Sequence, residues 1–526
     1  MSLSLPDLLT LIAYLLVVMG IGLYFSRKNT NTEEYFVGGR SFSGWVIGLS
    51  LVGTSISSIT FLAYPGDAYK TAWLRYLPNL MLPVAIFIAA YVFLPFFRRG
   101  NTITAYEYLE NRFGPSIRVY GALTFIFGQL VRISLILYLL SLLIHELTGL
   151  SSEASIVLGG VFVAVYTIVG GIDAVIWTDV LQTIVLMLGG VICLIVIVTS
   201  LPGGLEQIIS VAAEQGKLAF AELRYEEGIA QLVPVNWSFS LQDKTGTMLL
   251  LLGLTAWLTE YSANQNTVQR FCASKSDAEA RKAMFVCAFT SLPIWAFYMF
   301  LGTALYVFFQ VFPTETAAQI LNGEQKAEQI LPYFINHYLP AGIAGIVIAA
   351  ALAAAMSSLD SSINAISTVS IVDIYKRFSS TDKGDRHYLN VAKLIAVVTS
   401  VVMIFGAVLL MNAETKTLQD TATILVSIVS GGVLGIYLLG FFTTMGDARA
   451  IWSGLLLTAL FTIWTILAKK ELLPDGWGLP FDLYYTAIIG NFIMFMTGFF
   501  MAQFIFQRQE PVGEFSVWGR STRAKV

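Results

Sequence analysis

The sequence predicts an all-α integral membrane protein, and three observations carry that prediction. Of its 526 residues, 56% are hydrophobic and only 12% are charged, against roughly 25% charged residues in a soluble domain. Mean hydropathy is +0.72. Apolar runs near the roughly 20 residues needed to cross a bilayer core as a helix recur from end to end, without the two-residue alternation of membrane strands.

Apolar runs between charged or turn-rich breaks predict about thirteen transmembrane helices. They fall at approximately 5–25, 43–64, 75–98, 117–148, 153–172, 174–201, 245–267, 283–312, 334–371, 389–411, 420–443, 449–468 and 483–506. The first run has no basic segment before it and no small-residue cleavage site after it, so it reads as a retained helix.

Lysine and arginine set the expected orientation. Arg27, Lys28 and Arg40 follow the first span, Arg98, Arg99 and Arg112 the third, Arg270, Lys275, Arg281 and Lys282 the seventh, and Lys376, Arg377, Lys383 and Arg386 the ninth. These are alternate loops, and the tail with Arg508, Arg520, Arg523 and Lys525 falls on the same side. The positive-inside rule makes that side cytoplasmic. The expectation is a multi-pass protein of the plasma membrane, N-terminus outside and C-terminus cytoplasmic. The connections 202–244 and 313–333 then lie outside and read as lids or small surface helices.

Composition also excludes functions. A net charge of -3, with basic residues spread among loops, offers no field for nucleic acid. Cys193, Cys272 and Cys287 lack metal-ligand spacing and read as small buried residues. His145, His337 and His387 stand near no nucleophile motif, so hydrolytic chemistry has little support.

Four polar points stand where lipid should forbid them. Gly53 and a run of hydroxyls from Ser55 to Thr60 interrupt the second span before Pro65 and Gly66. A helix loosened there frees carbonyls that must meet protein, water or an ion; a kinked helix packed through small residues is the competing reading. In AAAMSSLDSSIN, Ala354, Ser357, Ser358 and Ser361 recur at helical spacing and share one face. Hydroxyls and carbonyls on one stripe suit a hard cation, whereas packing by small residues gives no reason for Asp360. Asp179 lies inside a span and is a functional candidate by position. Arg132 is too deep for easy snorkelling and needs an anionic partner or a water-filled cavity. A salt bridge to Glu260 and a clamp on a substrate carboxylate are both open.

These residues resemble the sodium/solute symporter family. The motifs are YFVGGRS at 35–41, SLVGTSISSITFLAYPG, TAYEYLENRFG at 104–114, GGIDAVIWTDVLQ at 170–182, NQNTVQRFCASKS at 264–276, AAAMSSLDSSINAISTVSIVDIYKR at 353–377 and GGVLGIYLLG at 431–440. The resemblance implies the leucine-transporter fold with inverted five-helix repeats, each opened by a broken helix. The expected division is an N-terminal extra helix and loop (1–42), a first repeat (43–201), an external loop (202–244), a second repeat (245–443) and C-terminal helices with a tail (444–526).

The resemblance further implies a sodium-coupled importer of a small organic solute, with Na+ as the co-transported ion. By motif alignment, one sodium site would use carbonyls of Gly53, Ile56 and Ala354 and hydroxyls of Ser357 and Ser358. A second, which some members possess, would use Asp179, Ser357 and Ser361. Asp360 departs from the hydroxyl common at its position and is expected to join that site. Ser57, Thr60 and Arg132 match residues around the carboxylate in bacterial sialic acid carriers. Arg75 and Asn79 replace an aromatic and a glutamine there. With Ser55 and Glu260 they complete the expected substrate set. An anionic solute such as a sialic acid or sugar acid is the first expectation and a neutral sugar the second. A channel would need a ring of carbonyls or charges, which is not seen. An intramembrane hydrolase would need Asp179 and Asp360 as a facing dyad.

Overall fold

The computed structural model describes residues 4–26, 31–98, 102–226, 229–379, 383–412, 431–474, 476–506 and 513–519. Among these residues nine helices are long and apolar enough to cross a membrane, and a bent pair makes a tenth span. The predicted span 420–443 lies partly outside the described residues.

α1 (Leu5–Ser26) packs along the bundle and leaves apolar side chains such as Leu16 on the outer surface, as a lipid-facing helix does. The second span is broken. α2 (Gly44–Ser55) stops at Ile56, whose backbone is extended. A wide turn at Ile59–Ala63 then leads into α3 (Tyr64–Lys70), bent by 61° from α2. Pro65 is tolerated because the widened turn just before it interrupts the regular helical ladder that its missing N–H would have joined.

The third span, α4 (Trp73–Phe97), precedes a short helix α5 (Ala105–Phe113) and the long α6 (Pro115–Thr148). α7 (Ser152–Ser200) is continuous by hydrogen bonding, but Gly171 adopts φ 60°, ψ -160°. Only glycine takes that conformation readily, and 49 residues at 1.5 Å each far exceed one bilayer. The two predicted spans 153–172 and 174–201 therefore meet at this kink.

The connection 202–244 corrects the expectation of surface helices alone. It holds α8 (Gly204–Glu214) and an antiparallel hairpin of β1 (Ala221–Glu226) and β2 (Ile229–Pro234). The polar ladder lies outside the apolar spans, where water rather than lipid meets an open strand edge.

The second broken span is α9 (Gly246–Ala263) followed by α10 (Gln265–Ala273). Asn264 between them is extended and caps α10, its side chain accepting from Asn266 N at 3.0 Å. α11 (Asp277–Val311) runs back, and the short helices α12 (Glu315–Asn322) and α13 (Ile330–Tyr338) cover one end. The predicted span 334–371 begins later than expected, as α14 (Ile343–Val369). α14 is wrapped by neighbours on nearly every side, packing on α7, α6, α1 and α2. Such an axial helix is where small and polar residues can be accommodated. α15 (Asp385–Asn412), α16 (Val433–Phe442), α17 (Ala448–Lys469) and α18 (Tyr485–Phe500) complete the described bundle.

Candidate functional site

The break after α2, the axial helix α14 and the second half of α7 converge on one polar cluster. Gly53 is required there by close approach. A Cβ at that position would lie 2.8 Å from Thr183 Oγ1, 3.0 Å from Ser357 Oγ and 3.1 Å from the Asp179 carbonyl. Around the break, Ile56 N donates to Val52 O at 2.9 Å, and Thr60 N and Phe61 N both donate to Ser57 O. Among the described residues, the carbonyls of Gly53 and Ile56 are left outside this ladder.

Ser358 Oγ, on the stripe of α14, is buried and has no hydrogen-bond partner; the same holds for Ser58 Oγ. Buried hydroxyls are normally satisfied. An orphan hydroxyl on a helix packed against a break with unbonded carbonyls offers the oxygen donors that a hard cation takes.

Asp179 has a different neighbourhood from the one expected. Its carboxylate accepts from Ser50 Oγ and Ser357 Oγ, each at 2.6 Å, and from Arg270 Nη2 at 2.6 Å. Arg270 also donates to Ser50 Oγ (2.8 Å), Ser361 Oγ (2.7 Å) and Asn266 O (2.7 Å). Both members of this ion pair are buried. Arg270, read from the sequence as a loop cation, thus ties α10 to α2, α7 and α14. The signal available in the sequence was its place in NQNTVQRF, a half-helix dense in amides.

Asp360 lies within electrostatic reach of Asp179 in the same buried cluster, but its own hydrogen bonds run elsewhere. It accepts from Tyr166 OH at 2.8 Å and Thr178 Oγ1 at 3.3 Å. It lies one residue from Ser361 on a helix, a step of roughly 100°, so its side chain leaves the stripe. Among the described residues no hydrogen bond joins the two carboxylates, and Asp179 is held instead by Arg270. Of the residues expected at a second ion, Asp179, Ser357 and Ser361 are brought together, with a guanidinium among them.

The expected substrate residues divide. Thr60 Oγ1 accepts from Trp295 Nε1 at 3.3 Å, and Trp295 packs on Trp257 with ring centroids 5.4 Å apart. Ser57 Oγ accepts from Ile59 N at 3.2 Å, and Ser55 is half-buried at the end of α2. Asn79 Nδ2 donates to Tyr64 OH at 2.7 Å. Arg75 is neutralised by Asp67 and lies 5.9 Å from the Tyr64 ring centroid. Glu260 is drawn out of the set: its carboxylate accepts from Thr267 Oγ1 and Asn264 Nδ2, each at 2.7 Å, and staples the break between α9 and α10.

Arg132 therefore does not pair with Glu260. It is half-buried, and among the described residues it makes no hydrogen bond or ion pair. Gln129, three residues earlier on the same face of α6, accepts from Ser362 Oγ of α14 at 3.0 Å. That contact turns the Arg132 face toward the axial helix.

Comparison with known proteins places these features among relatives. The sequence profile of the Sodium:solute symporter family matches residues 35–458. The sodium/sialic acid symporter SiaT of Proteus mirabilis is 31% identical over 492 residues, covering 93% of each chain. NanT of Aliivibrio fischeri, also a sodium/sialic acid symporter, is 27% identical over 94% of this chain and 92% of its own. The substrate-bound, outward-open structure of a Na+-coupled sialic acid symporter superposes with a TM-score of 0.83 at 30% identity, covering 95% of this chain and 98% of that one. Mhp1, a nucleobase-cation-symport-1 family transporter, shares the fold at 13% identity with a TM-score of 0.55, over 90% of this chain and 96% of its own.

Proposed function

The chain belongs to the sodium:solute symporter family, and we propose that the solute it carries with sodium is an organic anion, a sialic acid or a related sugar acid. It is a sodium-coupled secondary active symporter of leucine-transporter fold, embedded in a lipid bilayer. The observation that carries the substrate reading is Arg132. A guanidinium inside a span, without a carboxylate of its own, calls for an anion supplied by the ligand. Arginine meets a carboxylate with two parallel hydrogen bonds, which fixes orientation as well as charge. Ser55, Ser57, Thr60 and Asn79 would surround the rest of the solute, with Arg75 at its rim in a neutral pair with Asp67.

Sodium would be held by the carbonyls of Gly53, Ile56 and Ala354 and the hydroxyls of Ser357 and Ser358. Its binding would order the break between α2 and α3 and so the hydroxyls that meet the solute. Coupling of this kind is reciprocal, each ligand raising affinity for the other. A second ion beside Asp179, Ser357 and Ser361, with Asp360 one residue away, would have to share that pocket with Arg270. The reading includes no catalytic step. It takes 43–201 and 245–443 as the inverted repeats and puts the N-terminus outside and the C-terminus in the cytoplasm of a bacterial inner membrane.

The test is a thermal-shift series with N-acetylneuraminate, a hexuronate and a neutral hexose, each with and without sodium. The acid should stabilise the protein only when sodium is present. Stabilisation by the neutral hexose alone would overturn the anionic reading. That outcome would favour the neutral-sugar alternative, for which the neutral Asp67 and Arg75 pair and the paired tryptophans Trp257 and Trp295 speak.

A further inference from the structure

The two half-helices that end the broken spans are short: α3 with the widened turn that leads into it runs from Ile59 to Lys70, and α10 has nine residues. Helices of that length are unstable alone, and each exposes carbonyls at its C-terminus that lack helical partners. At both ends a buried or half-buried cation from another part of the chain meets those carbonyls. Lys217, from the turn after α8, is 3% exposed. Its Nζ donates to Tyr69 O and Thr71 O at 2.7 Å, with Ala68 O at 3.4 Å, and lies 3.9 Å from the Tyr306 ring centroid. Arg98, at the end of α4, donates through Nη1 to Ser274 O at 2.8 Å, Phe271 O at 3.1 Å and Cys272 O at 3.3 Å. Its Nε pairs with Asp277 at 2.9 Å.

A positive charge at a helix C-terminus offsets the partial negative charge of the last carbonyls. Here Lys217 closes the half-helix of the first broken span, and Arg98 closes that of the second with help from Arg40, whose Nη1 donates to Cys272 O at 3.3 Å. α3 follows the turn that carries Thr60, and α10 carries Arg270 onto Asp179. The broken helices of an inverted-repeat fold run in opposite senses, so the two caps sit at opposite ends of the bundle.

We propose that Lys217 and Arg98 are paired positioning residues, each latching one half-helix. Release of Lys217 favours opening of the solute path on its own side, and release of Arg98 favours opening on the other. With the orientation proposed above, Lys217 is the outer latch and Arg98 the inner one. A ligand or substitution that acts on one latch alone shifts the balance of access between the two sides.

The outer latch differs from the inner one in being titratable. Burial pushes the Lys217 ammonium down to about 7. The groups around it are Tyr306, with Gln215 and Gln310 beside that ring, and Tyr69 and Lys70 on α3; Asp67 on α3 is already held by Arg75. No carboxylate among the described residues pairs with Lys217. The ammonium is the latching form, so the outer latch is made below pH about 7 and weakens as pH rises through it. Arg98 keeps its charge throughout.

A single reporter tests the proposal. Ser55→Cys places a thiol at the break, and the native Cys193, Cys272 and Cys287 are buried. An impermeant thiol reagent added to right-side-out or inside-out vesicles then reads access from each face without any solute. Lys217→Met should raise outside labelling relative to inside labelling by about tenfold, the scale of a partly buried helix-end charge. Arg98→Met should shift the ratio the opposite way. Alkaline pH should reproduce the Lys217→Met shift in the otherwise native chain, and Lys217→Arg should restore the ratio and remove its pH dependence. Opposite shifts with the two faces exchanged would keep the latches and overturn only the assigned orientation. The proposal is overturned if both variants move the ratio the same way, or if neither moves it. Should Lys217→Met fail to insert, the pH series of the native lysine against Lys217→Arg decides alone, and a ratio flat with pH in both overturns the outer latch.

Discussion

Replacing Ser358 by alanine separates a sodium ligand from a structural serine, because the hydroxyl is buried and has no hydrogen-bond partner among the described residues. In the absence of sodium the substitution removes an unsatisfied polar group, a change worth about 1 to 3 kcal/mol in favour of the folded protein. Alanine also costs nothing in helix propensity. With sodium, one oxygen of a desolvated cation site is lost, which by comparison with charged hydrogen bonds costs about 1.5 to 3 kcal/mol. That is about 10- to 150-fold in sodium affinity. The neighbouring Ser357→Ala makes the contrast. Ser357 Oγ donates to Asp179 at 2.6 Å, so its loss should destabilise the sodium-free protein as well. The assay is the thermal midpoint of purified protein across a sodium titration at constant ionic strength, with the half-saturating sodium for uptake measured in parallel. Ser358→Ala should melt no earlier than the native protein without sodium and require at least about tenfold more sodium for the same stabilisation. An unchanged half-saturating sodium, or a sodium-free midpoint that falls as far as in Ser357→Ala, would refute the assignment.

Other consequences follow from the same geometry. Arg270→Met strands the buried Asp179 carboxylate and should cost about 3 to 5 kcal/mol; Asp179→Asn with Arg270→Met should recover at least about half of that, read as coupling in a double-mutant cycle. Arg132→Lys should weaken solute affinity by about tenfold or more, because a point ammonium cannot reproduce two-point contact with a carboxylate. The sodium-free midpoint should hold, since among the described residues Arg132 has no hydrogen-bond or ion-pair partner. Asp360→Ser removes an acceptor from Tyr166 and Thr178 and should keep transport. The reversal potential of uptake under set sodium gradients gives the ion ratio in native protein, Asp360→Ser and Asp179→Asn, and a ratio of one in all three would exclude the second ion.

Which segments cross the bilayer, and where they break, was legible in the sequence. Lipid leaves backbone groups no partner outside a helix, so apolar length predicts spans and Gly53, the serines and Pro65 predict a broken one. The stripe of Ala354, Ser357, Ser358 and Ser361 followed from helical spacing alone. What only the tertiary structure decided is which charge meets which. Arg270 and Asp179 are ninety-one positions apart, and in sequence Arg270 looks no different from the other cations of its loop. Glu260 and Arg132 looked like possible partners, yet Glu260 closes on its own break and leaves Arg132 unpaired. Asp360 shares a helix with the serine stripe but accepts from Tyr166, because one residue turns a side chain by roughly 100°. Lys217 lies in a connection whose composition promises only solvent, and its three carbonyls exist only once α3 has ended beneath it. Hydropathy records the cost of leaving water; the partner that offsets a buried charge is set by how the helices pack.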